Sequence, residues 1–322
     1  MPRIFAALFA LSLTAFGAQA QAQTASYPDR AVRIVVPFAP GGPTDLLARL
    51  LAKKLQDELS QNFVVENRPG AGGVIGTGIV AKSAPDGYTL LLVANNHAIS
   101  PSTYAKLTYD PSRDFAGVGM LGTAPYVLVA RPDLAVATLD DLRKLARSRG
   151  APMLYGTPGS GTANHLAVQL LSDHFGVKMQ QVDYSGAAPA TQGLLSGQVD
   201  FIINNLTSSL PLIQSRRLVA IGLTGPNPSD ALPGVPPIAS TIPGYEALAW
   251  YGIVAPAGTP REALDKLGGV MAKALDDPSF RGSLAQLGVD ARKMSGAEFD
   301  RFVVAEIGKW TDLARRAGVK PE

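Results

Sequence analysis

The sequence predicts an α/β protein of two lobes, each with a central, mostly parallel sheet flanked by helices. Three observations support this fold class: buried strands alternate with amphipathic helices, glycine-rich turns join them, and the series restarts near Pro125. The 322 residues suffice for two domains of ordinary size. We therefore expect two lobes that face each other across a cleft.

The N-terminus predicts a secretory signal peptide over residues 1–20. Arg3 precedes an apolar run at residues 4–16, and an A-x-A cleavage site ends at Ala20. We expect cleavage after Ala20, with Ala22 as second choice, and export to the periplasm. The apolar run is too short to span a bilayer, and the chain has no cysteine that could carry a lipid.

The first lobe begins with VRIVVPF at residues 32–38, which predicts a buried strand. The turn APGGPTD leads into a helix from about Thr44 to Ser60, whose leucines recur at helical spacing. A second strand begins at Phe63, a short helix covers residues 74–82, and DGYTLLLVAN predicts a third buried strand.

The second lobe begins with the segment YVLVARPD from about Pro125, which predicts a new strand. Thr138 caps the following helix, and the turn MLYGTPGSGT leads into another helix over residues 163–175. The segments MQQVDY and VDFIINN predict two more strands, which are separated by a helix at residues 187–195.

The C-terminal part adds the strand ALAWYGIVAP and several helices, but no complete sheet of its own. Thr259 with Glu262, and Ser295 with Glu298, predict capping boxes that start two of these helices. The C-terminal elements therefore complete the earlier lobe. We divide the chain into a signal peptide at 1–20, lobe 1 at 26–124 and 247–322, and lobe 2 at 125–246.

Residue types exclude several common chemistries. In YGTPGSGT, Gly156 and Gly161 have P-loop spacing, but Thr162 stands where that loop needs lysine. Asn164 stands where a dinucleotide fingerprint needs glycine, and Pro158 replaces the first glycine of a nucleophile elbow. The 3 histidines form no metal motif, and a net charge of +3 gives no basic stripe for nucleic acid. We expect no nucleotide, metal, cofactor or nucleic acid.

The two glycine turns, APGGPTD and YGTPGSGT, predict an anion site. A glycine turn that enters a helix presents backbone N–H groups and the positive end of the helix dipole at one spot. Such a turn is also common as plain strand-to-helix geometry, and for one turn alone that reading is the simpler one. The recurrence of the turn in both lobes favours a site for a small carboxylate between them.

Six sequence blocks, in order, carry a family resemblance: YPDRAVRIVVPFAPGGPTD, VENRPGAGGVIGTGIVAKSAPDGYTLLL, DFAGVGML, YGTPGSGTANHLAVQLL, VDYSGAAPATQGLLSGQVDFIINNL and WYGIVAPAGTP. From about Tyr27 to the C-terminus, the chain resembles the substrate-binding proteins of the tripartite tricarboxylate transporter system, the Bug receptor family. The resemblance implies a periplasmic-binding-protein-like fold of type II with a ligand cleft between its lobes. It also implies a monomer that delivers a carboxylate to membrane permease subunits without catalysis.

The resemblance places ligand contacts on both glycine turns. The implied contacts are Phe38, Ala39, Gly41, Gly42, Thr44 and Asp45 in the first turn, and Gly156, Thr157, Ser160, Gly161, Thr162 and His165 in the second. Ligand-specific contacts are expected at strand ends, where open α/β sheets bind ligands. These are Asn95, Asn96 and His97 in one lobe, and Tyr184 and Asn204 in the other.

Alternatives stay open at this point. Asp45 is equally a helix cap, Phe38 a core residue and His165 a packed residue that orients its loop. An enzyme acting on carboxylates would draw its acid and base from Asp45, His97 and His165. A ligand sensor that signals to a partner fits the same sequence. Relatives often carry an acid at position 204, so Asn204 argues weakly against an amino-acid ligand.

Overall fold

Residues 27–184 and 186–321, which the computed structural model describes, contain ten strands and ten α-helices. The strands are β1 Val32–Val36, β2 Phe63–Asn67, β3 Thr89–Ala94, β4 Phe115–Ala130, β5 Leu154–Thr157, β6 Gln180–Asp183, β7 Phe201–Asn205, β8 Val219–Leu223, β9 Leu248–Pro256 and β10 Asp290–Ser295. The helices are α1 Pro43–Leu59, α2 Val74–Ala81, α3 Asn95–Thr103, α4 Leu139–Ser148, α5 Ala163–Phe175, α6 Ala187–Leu195, α7 Leu206–Gln214, α8 Arg261–Asp276, α9 Pro278–Gln286 and α10 Gly296–Arg316. None of these helices combines the length and apolar character that a membrane span requires. The predicted signal peptide lies outside the described residues.

The strands form one connected, mixed sheet in the order β2-β1-β3-β9-β4-β7-β5-β6, with β8 and β10 paired to β4. The strand groups β2-β1-β3 and β6-β5-β7 are parallel, and helices connect their members. The pairings of β9 with β3 and β4, and of β7 with β4, are antiparallel. The predicted α/β fold class is confirmed, and helices flank both parallel groups.

One long strand, β4, links the two parallel groups. Its first part pairs with β9 and β10, and its second part pairs with β7 and β8. The sequence predicts that a new strand begins near Pro125. This prediction is wrong, because residues 115–130 form one strand. Glycines such as those of FAGVGMLG weaken a strand pattern in a sequence. In the structure, Gly117, Gly119 and Gly122 lie next to the register shifts between β4 and β9. The division of the chain into two lobes at this strand stays a prediction.

The carboxyl ends of both parallel groups point to the middle of β4. Ala94 at the end of β3 lies beside Tyr251 of β9, which lies beside Gly122 of β4. From the other side, Asn205 at the end of β7 lies beside Tyr126 of β4. Because β1 and β2 run with β3, and β5 and β6 run with β7, the loops after these strands open toward the same stretch of β4.

The two faces of β4 contribute to separate cores. Leu128 and Ala130 belong to the main apolar core, whereas Val127 and Val129 belong to a smaller core with α6 and α7. This division follows from the alternation of side chains along a strand. The strand is therefore buried on both faces, which explains its almost continuous apolar sequence.

The helix starts test the predicted capping signals. Thr138 and Ser295 each accept a hydrogen bond from the third helical amide, and Asp141 and Glu298 complete the two capping boxes. The box predicted at Thr259 is wrong, because its hydroxyl donates instead to the Pro256 carbonyl at 2.8 Å and α8 begins at Arg261.

A buried carboxylate fastens α10 to β9. Glu306 Oε2 accepts hydrogen bonds from the indole Nε1 of Trp250 at 3.0 Å and of Trp310 at 2.7 Å. Both indoles are almost fully buried, so each needs this partner. The last helix is consequently held firmly against the strand that borders β4.

The close approach of β10 to β4 generates a stability prediction. A Cβ at Gly122 would overlap the Asp290 carbonyl oxygen and lie 2.7 Å from Val289 Cγ1. We expect Gly122→Ala to lower the free energy of unfolding by about 1–3 kcal/mol, as overpacking of a core does. Chemical denaturation of the mature protein measures this change.

The matched control is Gly150→Ala. Gly150 is exposed, and a Cβ there would meet nothing within 4 Å. We expect this variant to unfold within about 0.5 kcal/mol of the wild type. Equal stability of the two variants would contradict the close packing of β10 on β4.

Candidate binding cleft

A cleft of about 1270 Å³ opens beside the middle of β4. Ala94, Tyr126, Asn205 and Tyr251, which meet there through the strand register, all line it. The rest of the wall comes mainly from the turns before α1 and α5, helix α3, the end of β6, the start of α6 and the segment after α10. The converging strand ends thus produce the cleft.

The first turn connects β1 with α1 and is held by a buried carboxylate. Asp45 Oδ2 accepts hydrogen bonds from the Gly41 amide at 2.9 Å and from Arg49 Nε at 3.0 Å. Its Oδ1 accepts from Asn67 Nδ2 at 3.0 Å, and the same amide group donates to the Phe38 carbonyl at 3.0 Å. Gly41 has φ +83°, which favours glycine. The turn is therefore pinned from both ends.

The second turn connects β5 with α5 and is held by hydroxyls and an imidazole. Thr162 is the N-cap of α5, and its hydroxyl donates to the Gly159 carbonyl at 2.8 Å. The buried Thr157 hydroxyl lies 3.1 Å from that of Thr162. The Gly161 amide, at φ +74°, donates to His165 Nδ1 at 3.0 Å. This network leaves the turn little freedom.

The two turns share one device. In each, the amide of a left-handed glycine donates to a side chain four residues later, in the first turn of the helix. The resemblance placed all four residues at the ligand. In the structure the Gly41 amide is bonded to Asp45 and the Gly161 amide to His165, so the candidate ligand donors are the neighbouring amides.

The remaining donors are the first amides of the two helices. The first intrahelical bonds are made by Leu46 and Leu166, so the preceding amides have no acceptor within their helix. Pro43 carries no N–H, and the His165 amide donates to Thr162 Oγ1 at 3.4 Å. Among these residues, Thr44 of α1 and Ala163 and Asn164 of α5 line the cleft, so their amides are the candidate donors. Both sets lie at the cleft end of their helix, where the dipole is positive.

Both pinning side chains have shifted pKa values. Burial opposes the ionisation of Asp45, but hydrogen bonds from Arg49, the Gly41 amide and Asn67 outweigh it and lower its pKa. Burial lowers the pKa of His165, and the nearby carboxylate of Asp183 offsets this only in part. Asp45 is therefore charged and His165 neutral near pH 7, the forms that can accept a glycine amide.

The structure brings most of the sequence-derived site residues to the cleft. Its wall includes Phe38, Ala39, Gly41, Gly42, Thr44, Asn95, Asn96, Ser160, Gly161 and Thr162. Asn95 has a structural task as well, because its amide group donates to the Leu248 carbonyl and its oxygen accepts from the Trp250 amide. Whether these residues contact a ligand stays a prediction.

His97 lies away from the cleft, which corrects its expected position. It is buried against Tyr109 and Phe115, and its Nε2 lies 3.2 Å from the Pro111 carbonyl oxygen. Burial lowers the pKa of His97 to about 4. The side chain leaves the strand end toward the core, because the first turn of α3 rotates it away from Asn95 and Asn96.

Six other expected contacts are not part of the wall: Asp45, Gly156, Thr157, His165, Tyr184 and Asn204. Tyr184 packs over Gly156 and donates to Gln198 Oε1 at 3.1 Å. Asn204 donates to Thr191 Oγ1 at 3.1 Å and is buried. Its neighbour Asn205 lines the cleft instead, because successive strand residues point to opposite faces.

Sequence reasoning missed several wall residues, namely Tyr104, Tyr126, Asn164, Asp183, Gly186 to Pro189, Asn205, Tyr251, Val319 and Lys320. The start of α6 had a usable signal, since SGAAP is a third glycine turn between a strand and a helix. The residues after α10 had none, because no local pattern relates the C-terminus to a distant turn.

The chain is similar to known proteins over most of its length. The family model TctC, the tripartite tricarboxylate transporter family receptor, matches residues 47–319. BugT of Bordetella pertussis is 34% identical over 323 residues, which cover 99% of each chain.

Two solved structures are similar over nearly their whole length. One is R. palustris Rpa4515 with adipate, at 34% identity and a TM-score of 0.82, covering 92% of this chain and 100% of that one. The other is MatC (Rpa3494) from Rhodopseudomonas palustris with bound malate, at 32% identity and a TM-score of 0.76, covering 89% and 100%. These matches also support the periplasmic-binding-protein-like fold.

The neutral state of His165 generates a pH prediction. Histidine has a pKa of about 6.5 in an unfolded chain, whereas burial lowers the pKa of His165 in the folded protein. The stability from neutral His165 is therefore fully present above the unfolded pKa and is lost as the pH falls through the folded pKa. Relative to His165→Gln, the wild type should lose up to about 1.4 kcal/mol per pH unit in that window.

Denaturation curves between pH 7.5 and pH 5 measure this difference. His174→Gln makes the same change at an exposed position on the same helix and serves as control. A constant or growing advantage of the wild type at low pH would contradict the bond from Gly161 to His165.

Proposed function

Because the chain belongs to the tripartite tricarboxylate transporter receptor family, we propose that it captures a small organic carboxylate and presents it to a membrane permease. The observation that carries this proposal is the meeting of two rigid, amide-rich helix starts in one cleft. In this proposal the principal donors are the amides of Thr44, Ala163 and Asn164, which line the cleft.

The energetics suit a carboxylate. A hydrogen bond to a charged group contributes about 1.5–3 kcal/mol, and a helix end adds about 0.3–1 kcal/mol. Three such amides with two helix ends can supply the roughly 8 kcal/mol of a micromolar complex. Rigid turns keep the entropic cost of binding low, because the donors are ordered before the ligand arrives.

The ligand class follows from the relatives and from the charge of the wall. Among the solved relatives, one carries adipate and another malate. The described wall of this cleft is mostly apolar, amide and hydroxyl groups. We therefore infer a small dicarboxylate, tricarboxylate or aromatic carboxylate as ligand.

The binding motion in this proposal is closure of two lobes, residues 26–124 with 247–322 against residues 125–246. Gly161 of the second turn approaches Thr103 at the end of α3 so closely that a Cβ would overlap its methyl group. Closure would bring both helix starts onto the same carboxylate and bury it. Binding energy that differs between open and closed forms would drive this motion.

The proposal includes a periplasmic location, a monomeric state and removal of residues 1–20. BugD, a similar structure at 34% identity and a TM-score of 0.78, is a periplasmic binding protein. The proposal also excludes catalysis. The groups that an enzyme would use, Asp45, His97 and His165, are all engaged or buried away from the cleft.

Isothermal titration calorimetry of the mature protein tests the proposal. We expect one member of a panel of monocarboxylates, dicarboxylates, tricarboxylates and aromatic carboxylates to bind with one-to-one stoichiometry. The reason is that a single cleft holds both donor sets. Chemical change of the ligand during the titration would favour an enzyme, and absence of binding across the panel would refute the receptor.

A variant at Gly161 tests the second turn. A Cβ there is strained by about 1–2 kcal/mol in the left-handed region and also overlaps Thr103. We expect Gly161→Ala to weaken binding of that ligand by about tenfold or more, since tenfold requires only about 1.4 kcal/mol.

The double variant Gly161→Ala with Thr103→Ser separates the two causes. It removes the overlapping methyl group, so part of the lost affinity should return, while Thr103→Ser alone should bind like the wild type. Unchanged affinity of Gly161→Ala would remove the second turn from the site.

A further inference from the structure

The segment after α10 forms part of the cleft wall. Val319 and Lys320 both line it, although they follow the last helix of the chain. In the sequence they are far from either glycine turn. Their position therefore needs a structural cause.

That cause is a Schellman motif at the end of α10. The Gly318 amide donates to the Arg315 carbonyl at 3.1 Å, and the Val319 amide donates to the Ala314 carbonyl at 3.0 Å. Gly318 takes φ +69°, as this motif requires. The reversal turns the chain back over the helix end, and Val319 packs against the main core.

The helix itself is tied to both sides of the cleft. Thr311 accepts a hydrogen bond from Ser102 of α3 at 3.1 Å, and Arg316 pairs with Asp173 of α5 at 3.5 Å. Val319 reaches the second turn, since a Cβ at Gly161 would lie 3.7 Å from Val319 Cγ1. Lys320, the next residue, therefore lies beside the turn that precedes α5.

Charge is scarce in this wall. Among the wall residues that the structure describes, the charged side chains are Asp183 and Lys320. The Asp183 carboxylate accepts a hydrogen bond from Gln181 Nε2 at 2.6 Å. Within residues 27–184 and 186–321, no ion pair joins Lys320 to an acid, and its side chain is exposed. Asp183 repels an anion, so Lys320 is the favourable charged contact for one.

On the premise that the proposed carboxylate receptor is correct, we propose that Lys320 binds a second anionic group of the ligand and selects dicarboxylates over monocarboxylates. The amide donors of the two turns hold the first carboxylate. The ammonium group, on its flexible four-carbon stem, reaches the second. Lysine suits this task because it tolerates ligands of different length.

The test compares ligands that differ only in the second carboxylate, succinate with butyrate and adipate with hexanoate. The pair that the wild type binds more tightly is used for the comparison. In calorimetry, the dicarboxylate of that pair should bind to the wild type more tightly than its monocarboxylate. Lys320→Gln should weaken binding of that dicarboxylate by about two- to fivefold, the upper part of the range for an exposed ion pair, and leave binding of the monocarboxylate unchanged. Lys320→Arg keeps the charge and should keep the preference.

Lys266→Gln is the matched control, because Lys266 is exposed on α8 and lies outside the cleft wall. It should bind both ligands like the wild type. Raising the salt concentration from about 20 mM to about 500 mM should weaken dicarboxylate binding to the wild type more than to Lys320→Gln, since salt screens exposed charges.

The outcomes separate this inference from the proposed function. The role of Lys320 would be overturned if Lys320→Gln lost the same affinity for both ligands or lost none. It would also be overturned if the wild type preferred the monocarboxylate. In each case the proposed receptor function would still stand. Failure of the wild type to bind any carboxylate would refute the receptor, and this inference with it.

Discussion

The cleft depends on how β4 is joined to the two parallel strand groups. It pairs directly with β7 in the antiparallel direction, whereas β9, antiparallel to both, lies between β4 and β3. Each group therefore runs toward the middle of this 16-residue strand, where Asn205 lies beside Tyr126 and Ala94 lies one strand away from Gly122. Helices that follow parallel strands begin at the strand ends, and their positive poles meet there. Had either group paired in the other direction, its helix starts would lie at the far edge of the sheet.

Within that arrangement, the bond from a glycine amide to the side chain four residues later sets the shape of each turn. Asp45 and His165 perform the same task with different chemistry. The carboxylate is kept charged by Arg49 and Asn67, whereas the imidazole is kept neutral by burial. In both cases the glycine amide is satisfied internally, so the turn holds its shape before any ligand arrives.

Much of this fold could be read from the sequence, because local signals coincide with the final elements. The leucine spacing of α1 and the capping boxes at Thr138 and Ser295 are examples. The continuity of β4 could not be predicted from the sequence, because the need for glycine in this strand comes from contacts with distant residues such as Asp290. The site followed the same division: the turns were recognisable, but the bonds by which Asp45 and His165 hold them were not. A sequence pattern shows which residues are polar, not which way they point.

In the proposed function, different parts of the cleft wall bind a carboxylate and distinguish one carboxylate from another. The amides at the starts of α1 and α5 are held in place by the strand arrangement and by the glycine bonds. Because they are hydrogen-bond donors of the main chain, they suit any carboxylate group. The charged wall residues, Asp183 and Lys320, come from the end of β6 and from the segment after α10. Asp183 acts on the second turn, because its carboxylate partly offsets the effect of burial, which lowers the pKa of His165, and shares the amide group of Gln181 with Ser160. Lys320 makes no ion pair within residues 27–184 and 186–321, so replacing it changes the charge offered to the rest of the ligand without removing a bond of either turn. In the proposed function, the ligand preference can therefore change at Lys320 while the amide donors stay as they are.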